Sequence, residues 1–126
     1  MVFLFVSRAA TAAALFALTM TSAPQAAEAH ALLQSASPPV GGSVASSPSA
    51  IRLEFSEGVE ARYSQVSVTG PAGTVPVSRP ANGGAKSTLA VKVGQKLKAG
   101  HYRVQWSVVS ADTHRTQGSF SFEVRP

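Results

Sequence analysis

Residues 100–124 read GHYRVQWSVVSADTHRTQGSFSFEV, and this stretch decides the fold. It contains two runs in which apolar and polar residues alternate, separated by a short polar interval. Alternation with a period of two is typical of a β-strand that buries one face. The stretch therefore predicts two neighbouring strands of an antiparallel sheet. The apolar members are Tyr102, Val104, Trp106 and Val108 in the first run and Phe120, Phe122 and Val124 in the second.

The same alternation recurs upstream, between segments rich in Gly, Pro or Asn such as SPPVGGS, TGPAGT, RPANGGAK and LKAGH. About seven short strands of this kind, with no helical periodicity, are the pattern of an all-β, immunoglobulin-like antiparallel β-sandwich with Greek-key connections. We expect Tyr102 and Trp106 to point into its core. The upstream strand candidates are the segment His30–Ser35, Ile51 to Phe55, Val66 to Val68, Val75 to Val77 and Leu89 to Val93.

The first 29 of the 126 residues have a different character. Arg8 precedes the apolar run AATAAALFALTM, and Ala27-Glu28-Ala29 forms a small-residue cleavage pattern. Residues 1–29 are therefore predicted to be a secretory signal peptide, which leaves residues 30–126 as one domain. A retained membrane anchor is the alternative, but Arg8 divides the apolar run well short of the ~20 residues that a spanning helix needs. A cut after Ala31 would also fit the pattern and would discard His30.

Composition excludes several classes of function. The formal net charge is +5, but the basic residues are scattered, so we expect no nucleic-acid partner. The chain has no cysteine, which excludes disulfides, thiolate metal sites and iron–sulfur clusters. We find no Ser-His-Asp set, no pair of acid/base carboxylates and no phosphate-binding Gly loop, and expect a protein that is not an enzyme.

Three residues point to metal chemistry. Asp112 is the only aspartate, and it lies two positions before His114 at the end of an apparent strand. Residues two apart in a strand point to the same face, so their side chains are expected to project together. Cleavage after Ala29 would make His30 the first residue, with an imidazole and a free α-amine that can chelate one ion. The other histidine, His101, is read as exposed and without a metal role.

A set of three nitrogens and one carboxylate oxygen suits Cu(II), which heads the affinity order of divalent first-row metals. It suits Ca²⁺ and Mg²⁺ poorly, and Zn²⁺ is the main competitor. Cu(I) prefers sulfur donors, and both methionines lie in the predicted leader. Ser110, Thr113 and Thr116 are candidates for hydrogen bonds around the ligands, although an ordinary turn hydroxyl is the favoured interpretation for each.

The chain from His30 onward resembles the CopC family of periplasmic copper-binding proteins. The matching segments are HALLQSASPPVGGSV, IRLEFSEGVE, GHYRVQWSVVSADTH and GSFSFEV. The resemblance implies Cu(II) ligation by His30 (amine and ring), Asp112 and His114. It places the family's FSE glutamate at Glu57, as a weak ligand or a group close to the ligands.

Some members of that family carry a methionine-rich loop that binds Cu(I). The equivalent region here, TGPAGTVPVSRPANGG, has no methionine or histidine. The resemblance therefore implies a Cu(II)-only, monomeric periplasmic protein for copper sequestration, resistance or delivery to a CopD-like inner-membrane copper transporter.

Two other functions are weighed. A β-sandwich adhesion or scaffold module without metal would be indifferent to loss of His114 or of the free amine. An oxidative copper enzyme would need an open metal face and a substrate platform, and the sequence offers neither.

Overall fold

The computed structural model describes residues 30–126, so the predicted signal peptide lies outside the described residues. This part of the chain folds into nine β-strands and one short 3₁₀ turn, Ala61–Tyr63. The strands are β1 (Leu33–Ser37), β2 (Ser43–Val44), β3 (Ala50–Phe55), β4 (Gln65–Gly70), β5 (Gly73–Val75), β6 (Ala81–Asn82), β7 (Thr88–Lys92), β8 (Gly100–Val109) and β9 (Arg115–Val124).

The strands form two sheets that pack face to face. One sheet has the order β1-β3-β7-β6 and the other β2-β9-β8-β4-β5, so the chain crosses between sheets after β1, β2, β3, β5 and β7. This confirms the predicted all-β sandwich. All pairs between neighbouring strands are antiparallel except β2 with β9, which are parallel.

Residues 100–124 form the longest hairpin in the part of the chain that the structure describes. β8 and β9 pair without interruption from Gly100 opposite Val124 to Val109 opposite Arg115. Their inward side chains alternate with exposed polar ones, as the sequence predicts. The hairpin therefore supplies one wall of the core, and its closed end carries residues 110–114.

The core lies between the two sheets. Tyr102 stacks on Phe122 with ring centroids 5.5 Å apart, and its hydroxyl donates to the Lys98 carbonyl at 2.6 Å. Trp106 points inward but is only half-buried, and its ring meets Phe55 edge-on at 5.2 Å. The opposite sheet contributes fully or almost fully buried apolar residues, namely Ile51, Leu53, Phe55, Leu89 and Val91.

The number of strands differs from the prediction because two of them are very short. β2 and β6 have two residues each; β2 begins at the last residue of the predicted break SPPVGGS, and β6 lies within the predicted break RPANGGAK. A two-residue strand shows no alternation, so only its backbone partner reveals it. The first strand also begins at Leu33 rather than His30, and Val77 forms an isolated bridge with Val93 instead of extending β5.

Candidate metal centre

The N-terminal segment before β1 is tied to the rest of the domain by two hydroxyl side chains. The Ser56 hydroxyl accepts a hydrogen bond from the Leu32 amide at 2.9 Å and donates to the His30 carbonyl at 3.4 Å. The Thr116 hydroxyl donates to the Ala31 carbonyl at 2.8 Å. Since Ser56 follows β3 and Thr116 lies at the start of β9, residues 30–32 are held between the two sheets at one end of the sandwich.

Asp112 and His114 lie in a turn, not in a strand. β8 ends at Val109, and the Ser110 amide donates to the His114 carbonyl at 2.9 Å, which closes the loop. Thr113 within the loop has a φ of 71°, in the left-handed region. The prediction that strand alternation places the pair on one face is therefore wrong, because the chain reverses between the two residues.

The turn nevertheless brings the two side chains together. His114 Nδ1 lies 3.1 Å from Asp112 Oδ2, and the His114 amide donates to Asp112 Oδ1 at 3.4 Å. A short polar side chain that bonds the backbone two residues ahead is a common turn device. Local turn chemistry, rather than the sheet, thus joins the carboxylate to the imidazole.

His30 completes the group from the other end of the chain. Its ring meets the His114 ring edge-on, with centroids 5.0 Å apart and planes at 87°. Two imidazoles and one carboxylate are thus gathered from residues 84 positions apart, at the end of the sandwich where residues 30–32 and the β8–β9 turn meet. The contacts are pairwise, His30 with His114 and His114 with Asp112, and within residues 30–126 no three His, Cys, Asp or Glu side chains are already close enough together to hold one metal ion. The α-amine of His30 would have to supply a further donor.

The carboxylate of Asp112 is stabilised in its charged form. The hydrogen bond from the Ser110 hydroxyl is the largest cause that lowers the pKa of Asp112, and the side chain and amide of His114 lower it further, while partial desolvation opposes them. The Asp112 side chain is 35% exposed and that of His114 61%, so the pair is open to solvent.

Glu57 lies between two residues that contact neighbouring segments, Ser56 and Gly58. Ser56 holds the N-terminal segment, and the Gly58 carbonyl accepts from the Ala111 amide at 3.0 Å. Glu57 itself is half-buried. In residues 30–126, no hydrogen bond or ion pair joins its carboxylate to Asp112 or His114.

The three candidate hydroxyls have different partners. Ser110 donates to Asp112 Oδ1 in a close contact, Thr113 donates to the main-chain carbonyl of Asp112 at 2.6 Å, and Thr116 donates to the Ala31 carbonyl. Sequence reasoning missed Ser56, which organises the N-terminal segment. Its only signal was its position after Phe55, where strand β3 ends. His101 is exposed and lies opposite Glu123, at the far end of the hairpin.

Comparison with known proteins identifies the family. The family model described as the CopC domain matches residues 33–125. The chain belongs to the CopC family. As expected for a CopC-family chain, it is 34% identical over 106 residues to copper resistance protein C of Pseudomonas syringae pv. tomato, covering 79% of this chain and 83% of that protein. It is 39% identical over 116 residues to protein YobA of Escherichia coli K12, covering 89% and 92%.

Solved structures of the family share the fold. PcoC, a methionine-rich copper resistance protein from Escherichia coli, superimposes with a TM-score of 0.71 at 33% identity, over 77% of this CopC-family chain and all of PcoC. CopC from Methylosinus trichosporium OB3b gives 0.70 at 34% identity, over 77% and 95%. Within residues 30–126, no helix has the length and apolarity to cross a membrane.

Proposed function

We propose that this CopC-family chain is an exported protein that binds one Cu(II) ion at the His30, Asp112 and His114 group. The observation that carries the proposal is the contact between the His30 and His114 rings, 5.0 Å apart, beside a carboxylate 3.1 Å from His114. The fold places the N-terminal segment at the D-x-H turn although no sequence pattern links the two.

The donor types favour Cu(II). Cleavage after Ala29 would free the His30 amine, so that one residue offers two nitrogens and closes a chelate ring. With His114 and Asp112 this makes a nitrogen- and oxygen-rich set of the kind that Cu(II) prefers. Residues 30–126 contain no methionine or cysteine, in contrast to the methionine-rich PcoC, so the sulfur donors that favour Cu(I) are lacking.

The protonation states required for binding follow from the same groups. The lowered pKa keeps Asp112 ionised at neutral pH, where its charge balances part of the charge of the ion. The two rings must be neutral and the α-amine, with a reference pKa of ~7.7–8.0, must lose its proton. Copper affinity is therefore expected to fall as the pH is lowered.

Sequestration and delivery fit the site better than catalysis. The ion would lie at a solvent-open end of a small sandwich, and a carboxylate would take one of its positions. We propose that the monomeric protein holds copper in the periplasm, for resistance or for transfer to a CopD-like inner-membrane copper transporter. Glu57, which is half-buried between Ser56 and Gly58, would act as a weak ligand or would hydrogen-bond around the ligands.

The test is a Cu(II) titration followed by electron paramagnetic resonance on four proteins. The first begins at His30, and the second carries one extra glycine before it, which turns the amine into an amide. The third and fourth begin at His30 and carry His114→Ala or His101→Ala. His101→Ala is the matched control, since it removes an exposed histidine at the other end of the same hairpin.

We expect one tightly bound ion with a tetragonal nitrogen and oxygen signal in the first and fourth proteins. The glycine extension and His114→Ala should weaken binding and alter the signal. Equal, weak binding in all four proteins would contradict the proposal and would favour an adhesion or scaffold module. The intact mass of the exported protein checks the cut after Ala29.

A further inference from the structure

The Ser110 side chain links the exposed Asp112 and His114 pair to the interior. It is fully buried at the base of the β8–β9 turn, where it forms an isolated bridge with Val59. Its amide donates to the His114 carbonyl at 2.9 Å, and its own carbonyl accepts from the Thr113 amide at 2.9 Å. The backbone of Ser110 is therefore fixed on both sides of the loop.

The Ser110 hydroxyl has two acceptors within reach but only one proton. Asp112 Oδ1 is in close contact, and the His114 carbonyl lies 3.1 Å away. Hydrogen bonds to an ionised carboxylate are stronger than those to a neutral carbonyl. The His114 carbonyl is in addition already bonded to the Ser110 amide. The Ser110 hydroxyl therefore directs its hydrogen bond to Asp112 Oδ1.

The hydrogen bond from Ser110 to Asp112 matters because the Asp112 and His114 pair is exposed. Exposed charged pairs stabilise a fixed geometry weakly, since ordering both side chains costs rotamer freedom. Here Asp112 is held through Oδ1 from the buried side, which leaves Oδ2 facing His114 Nδ1 at 3.1 Å. Oδ1 also accepts from the His114 amide, but Oδ2 keeps a further lone pair, so the anchored carboxylate can still accept another partner.

We propose that Ser110 is a positioning residue, whose buried hydroxyl fixes the Asp112 carboxylate against Nδ1 of His114. In the metal-free protein this arrangement makes Nδ1 the protonated nitrogen of neutral His114. The consequence for copper rests on the proposed function: Ser110 keeps Asp112 in place beside the ion. Residues that orient metal ligands typically change metal affinity about 10–100-fold when they are removed.

Thr113 provides a matched control in the same turn. Thr113 is exposed, and its hydroxyl donates to the main-chain carbonyl of Asp112 at 2.6 Å rather than to the side-chain carboxylate. Thr113→Ala removes a loop hydroxyl without removing the anchor. Ser110→Thr keeps a hydroxyl at the buried position, so it should preserve the properties that Ser110→Ala loses.

The first measurement uses metal-free protein and the ¹⁵N chemical shifts of the His114 ring. We expect the Nδ1–H form in the parent protein, in Thr113→Ala and in Ser110→Thr, and a loss of that preference in Ser110→Ala. The parent protein alone already provides a test, because a dominant Nε2–H form there would overturn the proposal whether or not Ser110→Ala folds.

The second measurement is Cu(II) affinity on the same proteins starting at His30. We expect Ser110→Ala to lose about 10–100-fold, with a changed copper spectrum, while Thr113→Ala stays close to the parent. A parent that binds copper beside a folded Ser110→Ala with unchanged tautomer and affinity would disprove the role of Ser110 alone. A parent that shows the Nδ1–H form but binds no copper would instead refute the proposed function.

Discussion

Gly118→Ala should destabilise the domain because Gly118 lies directly beneath the indole of Trp106. The two residues are paired across β8 and β9, and a Cβ at position 118 would stand 2.6 Å from Cζ2 and 2.9 Å from Cε2 of that ring. Ordinary contacts of a Cβ begin at about 3.4 Å, so the ring would have to move by most of an ångström. Trp106 cannot move freely, since Phe55 meets its ring edge-on at 5.2 Å.

The size of the effect follows from the overlap. Forcing one extra carbon into a packed core costs about 1–3 kcal/mol. For a domain of roughly 100 residues, a loss of 2 kcal/mol lowers Tm by roughly 8–16 °C. The total stability of such a domain is only about 5–15 kcal/mol, so the change should be easy to measure.

The assay is urea unfolding of the metal-free protein, followed by circular dichroism and by the fluorescence of Trp106, the only tryptophan. Gly58→Ala is the control, because a Cβ there would make only ordinary contacts, the nearest 3.7 Å from Lys86 Cβ. We expect the control to be neutral or stabilised by up to about 1 kcal/mol. If Gly118→Ala unfolded at the same urea concentration as the parent, the placement of the Trp106 ring on Gly118 would be refuted.

Two further predictions concern the β8–β9 turn. The folded pKa of Asp112 is below its ordinary value of 3.8, so its charge stabilises the metal-free fold above that pH, and this stabilisation is lost as the pH falls through the lower folded value. The urea midpoints of the parent and of Asp112→Asn should therefore converge in acid, and a gap that stays constant from pH 5 to pH 2 would contradict the shift. Thr113→Gly should raise the urea midpoint by the equivalent of about 0.5–1 kcal/mol, because a residue that carries a Cβ is strained at φ 71° whereas glycine is not. Thr113→Ala keeps the Cβ and should show no such gain, and equal effects of the two substitutions would argue against strain.

The long strands were predictable from the sequence because each buries one face. Tyr102 and Val104 alternate with exposed residues in the first half of β8, and the structure buries both of them and Val108 as expected. The two-residue strands β2 and β6 could not be found in this way, because their identity depends on partners far along the chain. The parallel pairing of β2 with β9 has no local signal for the same reason.

The candidate site was predicted in part, and partly for the wrong reason. His30, Asp112 and His114 do lie together, but the D-x-H pair is joined by a turn in which Thr113 takes a left-handed conformation. Strand alternation and an aspartate turn both bring residues two apart close together, so the sequence alone did not distinguish them. The approach of His30 depends on Ser56 and Thr116, whose partners are backbone groups of the N-terminal segment and carry no residue signature.

The closed end of the β8–β9 hairpin is held by a third segment of chain. The Glu60 amide donates to the Val109 carbonyl at 2.8 Å, the Ala111 amide donates to the Gly58 carbonyl at 3.0 Å, and Val59 bridges to Ser110 between them. The tip of a hairpin ordinarily opens at little cost in free energy, far below that of global unfolding. Here opening the tip requires residues 58–60 to detach as well. The amides of Ala111 and Glu60, although both lie outside regular strands, should therefore exchange with solvent on the slow timescale of the core rather than that of a loop.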